Sequence, residues 1–113
     1  FMYSEEVDWC TRIRRAGWQI YWVPASPIIH YGGQSSKQVK TAMFLQLYRG
    51  KIQYFRKHWN RLTVWLYKLI LVAASLPRLA AVPLTLFESP AKRRTHLALA
   101  NQYWLLVKAI PKM

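Results

Sequence analysis

Acidic side chains are scarce in this chain: four Asp and Glu stand against seventeen Lys and Arg, a formal charge of +13. Such an imbalance points to a polyanionic neighbour, either nucleic acid or an anionic membrane surface. Cysteine is almost missing as well. Cys10, the single one, can form no internal disulfide and cannot build a zinc ribbon or finger, and it suits a reducing compartment. No two histidines fall at metal-ligand spacing, and no D-x-D triplet occurs. Apolar residues, by contrast, make up 53% of the 113 residues, which excludes intrinsic disorder, and aromatics are plentiful, with six Trp and seven Tyr.

The few acids are not scattered. Glu5, Glu6 and Asp8 share one four-residue window, and Glu88 stands alone. The window opens "SEEVDWCTRIRRAGW", which reads as a short helix over Ser4–Ala16. Ser4 is its N-cap, the acids lie in the first turn, Arg12, Arg14 and Arg15 in the last, and Gly17 is the stop. Two β-rich runs follow, Ile20–Val23 closed by Pro24 and Ile28–Tyr31 closed by Gly32 and Gly33. The expected order for the first third is therefore helix, strand, strand and glycine loop. Because this stretch begins almost at Phe1 with no element before it to pack on, the chain reads as the carboxyl-terminal piece of something longer.

From Ser35 the pattern turns helical. Phe44, Leu47, Tyr48, Ile52, Phe55 and Trp59 form one stripe at steps of three and four, under a coat of Lys and Arg. Leu62–Phe87 is the most apolar region. Lys68 and Arg78 interrupt it, and Pro77 and Pro83 are expected to break it, so it reads as paired amphipathic helices in a membrane interface, with a re-entrant hairpin as the other option. "ESPAKRRTH" reads as a basic turn, and Leu97–Ile110 as a last amphipathic helix. Basic residues interleaved with aromatics over 37–61 could bind nucleic acid, but the neighbouring apolar segment favours a membrane surface, where Lys, Arg, Trp and Tyr flank apolar helices.

Two constellations could carry chemistry. A carboxylate at a helix N-terminus projects past the helix end and can take a proton from a substrate, so Glu5 and Glu6 are candidate bases. On spacing alone the plainer reading is preferred: dipole-stabilising first-turn acids, with Asp8 and Arg12 as an i,i+4 surface pair. His30, at a predicted strand end before "YGGQSS", is placed to reach a metal or phosphate, or else to make one ordinary hydrogen bond.

Taken as an ordered set, "SEEVDWCTRIRRAGWQIYWVPASPIIHYGGQSS" resembles the end of the catalytic domain of family 2 glycosyltransferases of the bacterial rhamnosyltransferase-like kind. Those proteins carry E-D-x-D, then R-x-R, A-G-W, V-P, a strand ending in His and G-G-x-S. "YRGKIQYFRKHW" is similar to the segment that comes next in them. The resemblance implies an α/β fold of the GT-A type, with residues 1–36 closing the catalytic domain and 37–113 forming a basic, membrane-associated helical tail. It implies inverting sugar transfer with Glu6 as base, one methylene longer than the family's Asp, and Glu5 beside it. By the same resemblance Asp8, Trp9, Gly32, Gly33 and Ser35 adjoin the acceptor or substrate, with core packing the plainer role for Trp9 and for Trp18, and His30 approaches the metal or diphosphate. The partners implied are a nucleotide-sugar donor, a glycan or lipid-linked acceptor and an anionic membrane surface at the cytoplasmic face of the bacterial inner membrane, with no nucleic acid. Mg or Mn would be held mainly by an upstream D-x-D that this chain lacks, so the chain alone should be inactive. The rival expectation is a small basic non-enzymatic protein that binds membranes or nucleic acid.

Overall fold

The structure, a computed structural model, describes residues 3–25, 27–29 and 39–113. Four helices carry the described chain: α1 (Glu5–Arg15), α2 (Lys40–His58), α3 (Arg61–Ala80) and α4 (Pro90–Ala109), with 3-10 helices at Val82–Phe87 and Ile110–Lys112. Among the described residues there is no strand, and this overturns the expected α/β fold of the GT-A type. Residues 20–23 are irregular and exposed, Trp22 at 89%, and Ile28 and Ile29 are likewise irregular and exposed. The reason is physical. A β-rich run becomes a strand only where a neighbouring strand takes its backbone N–H and C=O groups and packs its side chains, and an isolated hairpin does not supply enough of either.

α1 begins and ends differently. Ser4 sits in the left-handed region (φ 68°) and offers no side-chain cap, so the expected hydroxyl cap is replaced by its carbonyl, which accepts from the Asp8 N–H at 2.9 Å. At the other end Gly17 (φ 87°) closes the helix as its sequence position predicts. Its N–H reaches the Arg14 carbonyl (3.1 Å) and the Trp18 N–H reaches that of Ile13 (3.2 Å), the paired bonds that a left-handed residue after the last turn permits.

Asn60 separates α2 from α3 and caps the latter, its side-chain oxygen accepting from the Thr63 N–H at 2.8 Å. Pro77 does not break α3 as expected: the helix runs on to Ala80 and only then tightens into the 3-10 turn containing Pro83. Proline removes one N–H and crowds one carbonyl, and so close to a helix end the loss is confined to the final turn. The Arg78 guanidinium donates back to the Ala74 carbonyl (2.7 Å) and lies over the Tyr103 ring, 4.7 Å from its centre, which ties this end of α3 to α4. The basic segment after Glu88 is also helical rather than a turn. Pro90 opens α4 at a position where its missing N–H is harmless, so Lys92, Arg93 and Arg94 fall in the first turns.

The core is small. Ile52 of α2, Leu71 of α3, and Leu106, Ile110 and Met113 form it, with Phe44, Tyr48, Tyr67 and Tyr103 packed around them. Four of the six residues of the expected α2 stripe face this way, Phe44, Tyr48 and Ile52 directly and Phe55 through its ring contact with Tyr67 at 4.8 Å, whereas Trp59 is exposed. The radius of gyration is 17.9 Å, against about 13 Å for a compact domain of this length. α3 with the following 3-10 turn, Arg61–Phe87, is the one helix among the described residues long and apolar enough to cross a membrane, with a mean hydropathy of 1.9 and only 17% of its most apolar window buried. At 1.5 Å per residue its twenty regular residues span about 30 Å.

Candidate functional site

α1 meets α2 along its length, from Tyr3 just before it to Arg15 at its end. The Tyr3 carbonyl lies so close to Gly50 of α2 that a Cβ there would stand 2.8 Å from its oxygen, so only glycine admits the approach. One turn on, Asp8 gathers three partners. Arg12 Nε lies at 3.2 Å, the spacing the i,i+4 pair predicts, while Lys57 Nζ at 2.8 Å and His58 Nε2 at 2.6 Å arrive from α2. Farther along, Thr11 Oγ1 and the Tyr54 hydroxyl are 2.9 Å apart, and Arg15 donates to the His58 carbonyl at 3.1 Å.

The His58 tautomer follows from these partners. Its Nδ1 lies 2.8 Å from an Arg15 nitrogen, and a guanidinium only donates, so Nδ1 accepts and the proton sits on Nε2, facing Asp8. Both ring nitrogens are committed and the side chain is 3% exposed. His58 therefore positions Asp8 and Arg15, and it keeps no lone pair for proton transfer. Asp8 is equally committed. The Lys57 hydrogen bond, then that of His58, then the Lys57 and Arg12 charges hold its carboxyl down to about 2 against partial desolvation, so it is ionised at neutral pH and a poor proton acceptor.

Beside this hub lies a cleft of about 270 Å³ between the start of α1 and α2, edged by Glu5, Arg12, Lys57 and Tyr54. Gln53 lines it, and its side-chain oxygen is buried without a hydrogen-bond partner among the described residues. Glu5 and Glu6 are exposed and make no ion pair among the described residues. The arrangement divides the three clustered acids: Asp8 anchors, and Glu5 and Glu6 keep free carboxylates.

Trp9 is 62% exposed and Trp18 also stands in the open, so core packing fails for both. His30, Gly32, Gly33 and Ser35 lie outside the described residues. Among the described residues no group of three His, Cys, Asp or Glu is placed to hold a cation. Sequence reasoning missed Lys57, Gln53, Tyr54 and His58 as site residues. The only available signal was the "YFRKHW" segment, since Asp8 and His58 lie 50 positions apart and no local spacing links them. Comparison of the chain with protein-family models, curated proteins and solved structures gave no match.

Proposed function

We propose that this chain is the carboxyl-terminal segment of a family 2 glycosyltransferase that transfers a sugar, rhamnose by the resemblance, from a nucleotide sugar to a lipid-linked or polysaccharide acceptor at the cytoplasmic face of a bacterial inner membrane. The observation that supports it is the division of labour at α1. With Asp8 held ionised by Lys57, His58 and Arg12, α1 is fixed to α2; Glu5 edges an open cleft, and Glu6, the next residue of the same turn, is exposed outside its lining, both unpaired among the described residues. In the reaction, the Glu6 carboxylate takes the proton of an acceptor hydroxyl. The acceptor oxygen then bonds to the anomeric carbon as the bond from that carbon to the nucleoside diphosphate breaks, with inversion. Mg or Mn would supply positive charge for the departing diphosphate. The described residues do not offer a ligand set for it, and the reading places it on an upstream D-x-D outside this chain.

The test uses a longer protein that contains this segment. Glu6→Gln should lower kcat by about 10²–10⁴, the usual worth of a general base, with far less effect on KM. Full activity in Glu6→Gln would end the base assignment, and sugar transfer by the 113-residue chain alone would end the view that it is a part. A second reading is supported by the helical character of the described residues and the bare apolar face of α3: a basic membrane-binding protein without enzymatic activity. Membrane binding in a longer protein that turns over no nucleotide sugar would favour it.

A further inference from the structure

α3 is apolar on two opposite sides for two different reasons. Val64, Tyr67, Leu71 and Val72 face α2 and α4 in the core. Leu62, Trp65, Leu66, Leu69, Ile70 and Leu76 point the other way and are all exposed. At 100° per residue these six cover an arc of roughly 140° along the whole helix, and no charge falls inside it. Lys68 and Arg61 lie on its flank, and Arg78 is drawn off toward Tyr103. The interruptions expected from the sequence are therefore beside the apolar face and not in it. Past the helix end Leu84, Leu86 and Phe87 are exposed as well, the last at 90%.

We infer that α3 lies flat in one leaflet of an anionic phospholipid bilayer, with this outer face immersed, and does not cross it. Crossing is opposed by the neighbours of α3. Leu71, at its midpoint, packs in one cluster with Ile52 of α2, and Arg49 and Lys51 are exposed within one turn of Ile52. A transmembrane α3 would carry both cations to the level of the hydrocarbon, where such groups are costly. Lying flat leaves both in water.

Charge selects the leaflet. The chain carries +13, Arg61 and Lys68 lie along one flank of the face, and the Lys92–Arg94 run at the start of α4 is exposed. Long basic side chains beside an apolar stripe extend their charges up to the headgroups while their stems stay in the acyl boundary. Exposed Trp59 and Trp65 at the start of α3 and Trp104 on α4 suit the same boundary. One consequence concerns α1. Its partners Gly50, Tyr54 and Lys57 are on the side of α2 opposite the core residues Tyr48, Ile52 and Phe55, so α2 separates α1 from α3. Glu5 and Glu6 thus stand on the solvent side, away from the immersed face. The inference rests on the membrane half of the proposed function and not on sugar transfer.

The test uses the purified chain with Cys10→Ser as background and, singly, Leu62→Cys, Leu66→Cys, Leu69→Cys, Ala73→Cys and Leu76→Cys. Each carries an environment-sensitive dye, with vesicles of phosphatidylcholine and phosphatidylglycerol and lipid-borne quenchers at known depth. The expected result is that all five dyes enter the bilayer to one shallow depth only when vesicles are added, while a dye at Arg49→Cys stays in water. Binding should fall several-fold in pure phosphatidylcholine or at high salt. Leu66→Glu with Leu69→Glu should lower the vesicle partition about tenfold or more with helical circular dichroism retained. A depth that increases toward Leu69 and decreases again toward Leu76 means crossing and overturns the inference. Dyes shielded before vesicles are added mean that a second copy covers the face, and dyes left in water mean no membrane face; both overturn it. If the double Glu variant unfolds, the depth profile still decides. None of these readings involves Glu6, so failure here and failure of the Glu6→Gln assay are separate outcomes.

Discussion

The two junctions that α2 makes are built from opposite materials. On one side, Ile52 enters an apolar cluster with Leu71, Leu106 and Ile110, and α2, α3 and α4 hold together by burial. On the other side, α1 is attached by a carboxylate hub, the Arg15 hydrogen bonds to His58, one hydroxyl pair and the close approach at Gly50. Burial is insensitive to pH and only weakly sensitive to salt, whereas a hub of three cationic or proton-donating groups around one carboxylate depends on both. The difference indicates that α1 can come away without the bundle unfolding, a local opening rather than a global one.

The largest effect should come from breaking the apolar side. Leu106 is 1% exposed in a core of five residues, so Leu106→Ala should remove about 2–5 kcal/mol and lower the melting temperature of the whole bundle. Loss of α1 protection alone, with the melting temperature unchanged, would show that the bundle does not depend on this cluster. Next comes Gly50→Ala. Alanine favours a helix by about 1 kcal/mol over glycine, so α2 itself should not suffer. Its Cβ would meet the Tyr3 carbonyl at 2.8 Å, however, and backbone has no side-chain freedom with which to yield. The expected result is faster proteolysis and hydrogen exchange over residues 3–15, at about 1–3 kcal/mol for the overpacked contact, with α2–α4 unchanged or steadier.

How far the sequence reveals these junctions follows the same division. The helical stripe through Phe44, Tyr48, Ile52 and Phe55 is legible because burial imposes a period, and Gly17 is legible because a left-handed position selects glycine. The Asp8–Arg12 pair is legible because a helix places i and i+4 together. The Asp8–His58 contact is not, since it depends on how two helices pack across 50 positions of chain. The run Ile20–Val23, and Ile28 and Ile29 of the second run, mislead for the converse reason, while residues 30 and 31 lie outside the described residues. β-rich composition records a preference for a pleated, half-buried surface, and the described residues contain no strand to provide one. Pro77 and the "AKRRTH" segment were misjudged through local rules that tertiary packing and an N-terminal proline override.

A milder effect comes from acid. The Asp8 carboxyl is held down to about 2 in the docked state, against an ordinary value of 3.8. A depressed carboxyl stabilises the docked form above its free value, and that stabilisation disappears as the proton binds. α1 should therefore stay docked above about pH 4 and loosen as the pH falls through 4 toward 2. Asp8→Asn should loosen it at neutral pH and flatten the acid response. Amide exchange of α1 against that of α3 reads both, and an acid response retained in Asp8→Asn would move the titrating group elsewhere.

The smallest effect should come from Tyr54→Phe, and the reason lies in how Thr11 is already satisfied. Its hydroxyl hydrogen goes to the Val7 carbonyl at 2.8 Å, so at the 2.9 Å contact with Tyr54 the Thr11 oxygen accepts and the phenol donates. Removing the phenol hydroxyl strands no donor, and the Thr11 acceptor it leaves is only part-buried. The expected loss is about 0.5–1 kcal/mol, confined to α1 and absent from the melting of the bundle. Should Tyr54→Phe free α1 as fully as Gly50→Ala does, the hydroxyl pair rather than the Asp8 hub would be the main attachment. The comparison between a charged junction and an apolar one would then have to be redrawn as neutral polar against apolar, with little of the salt and acid dependence that the hub predicts.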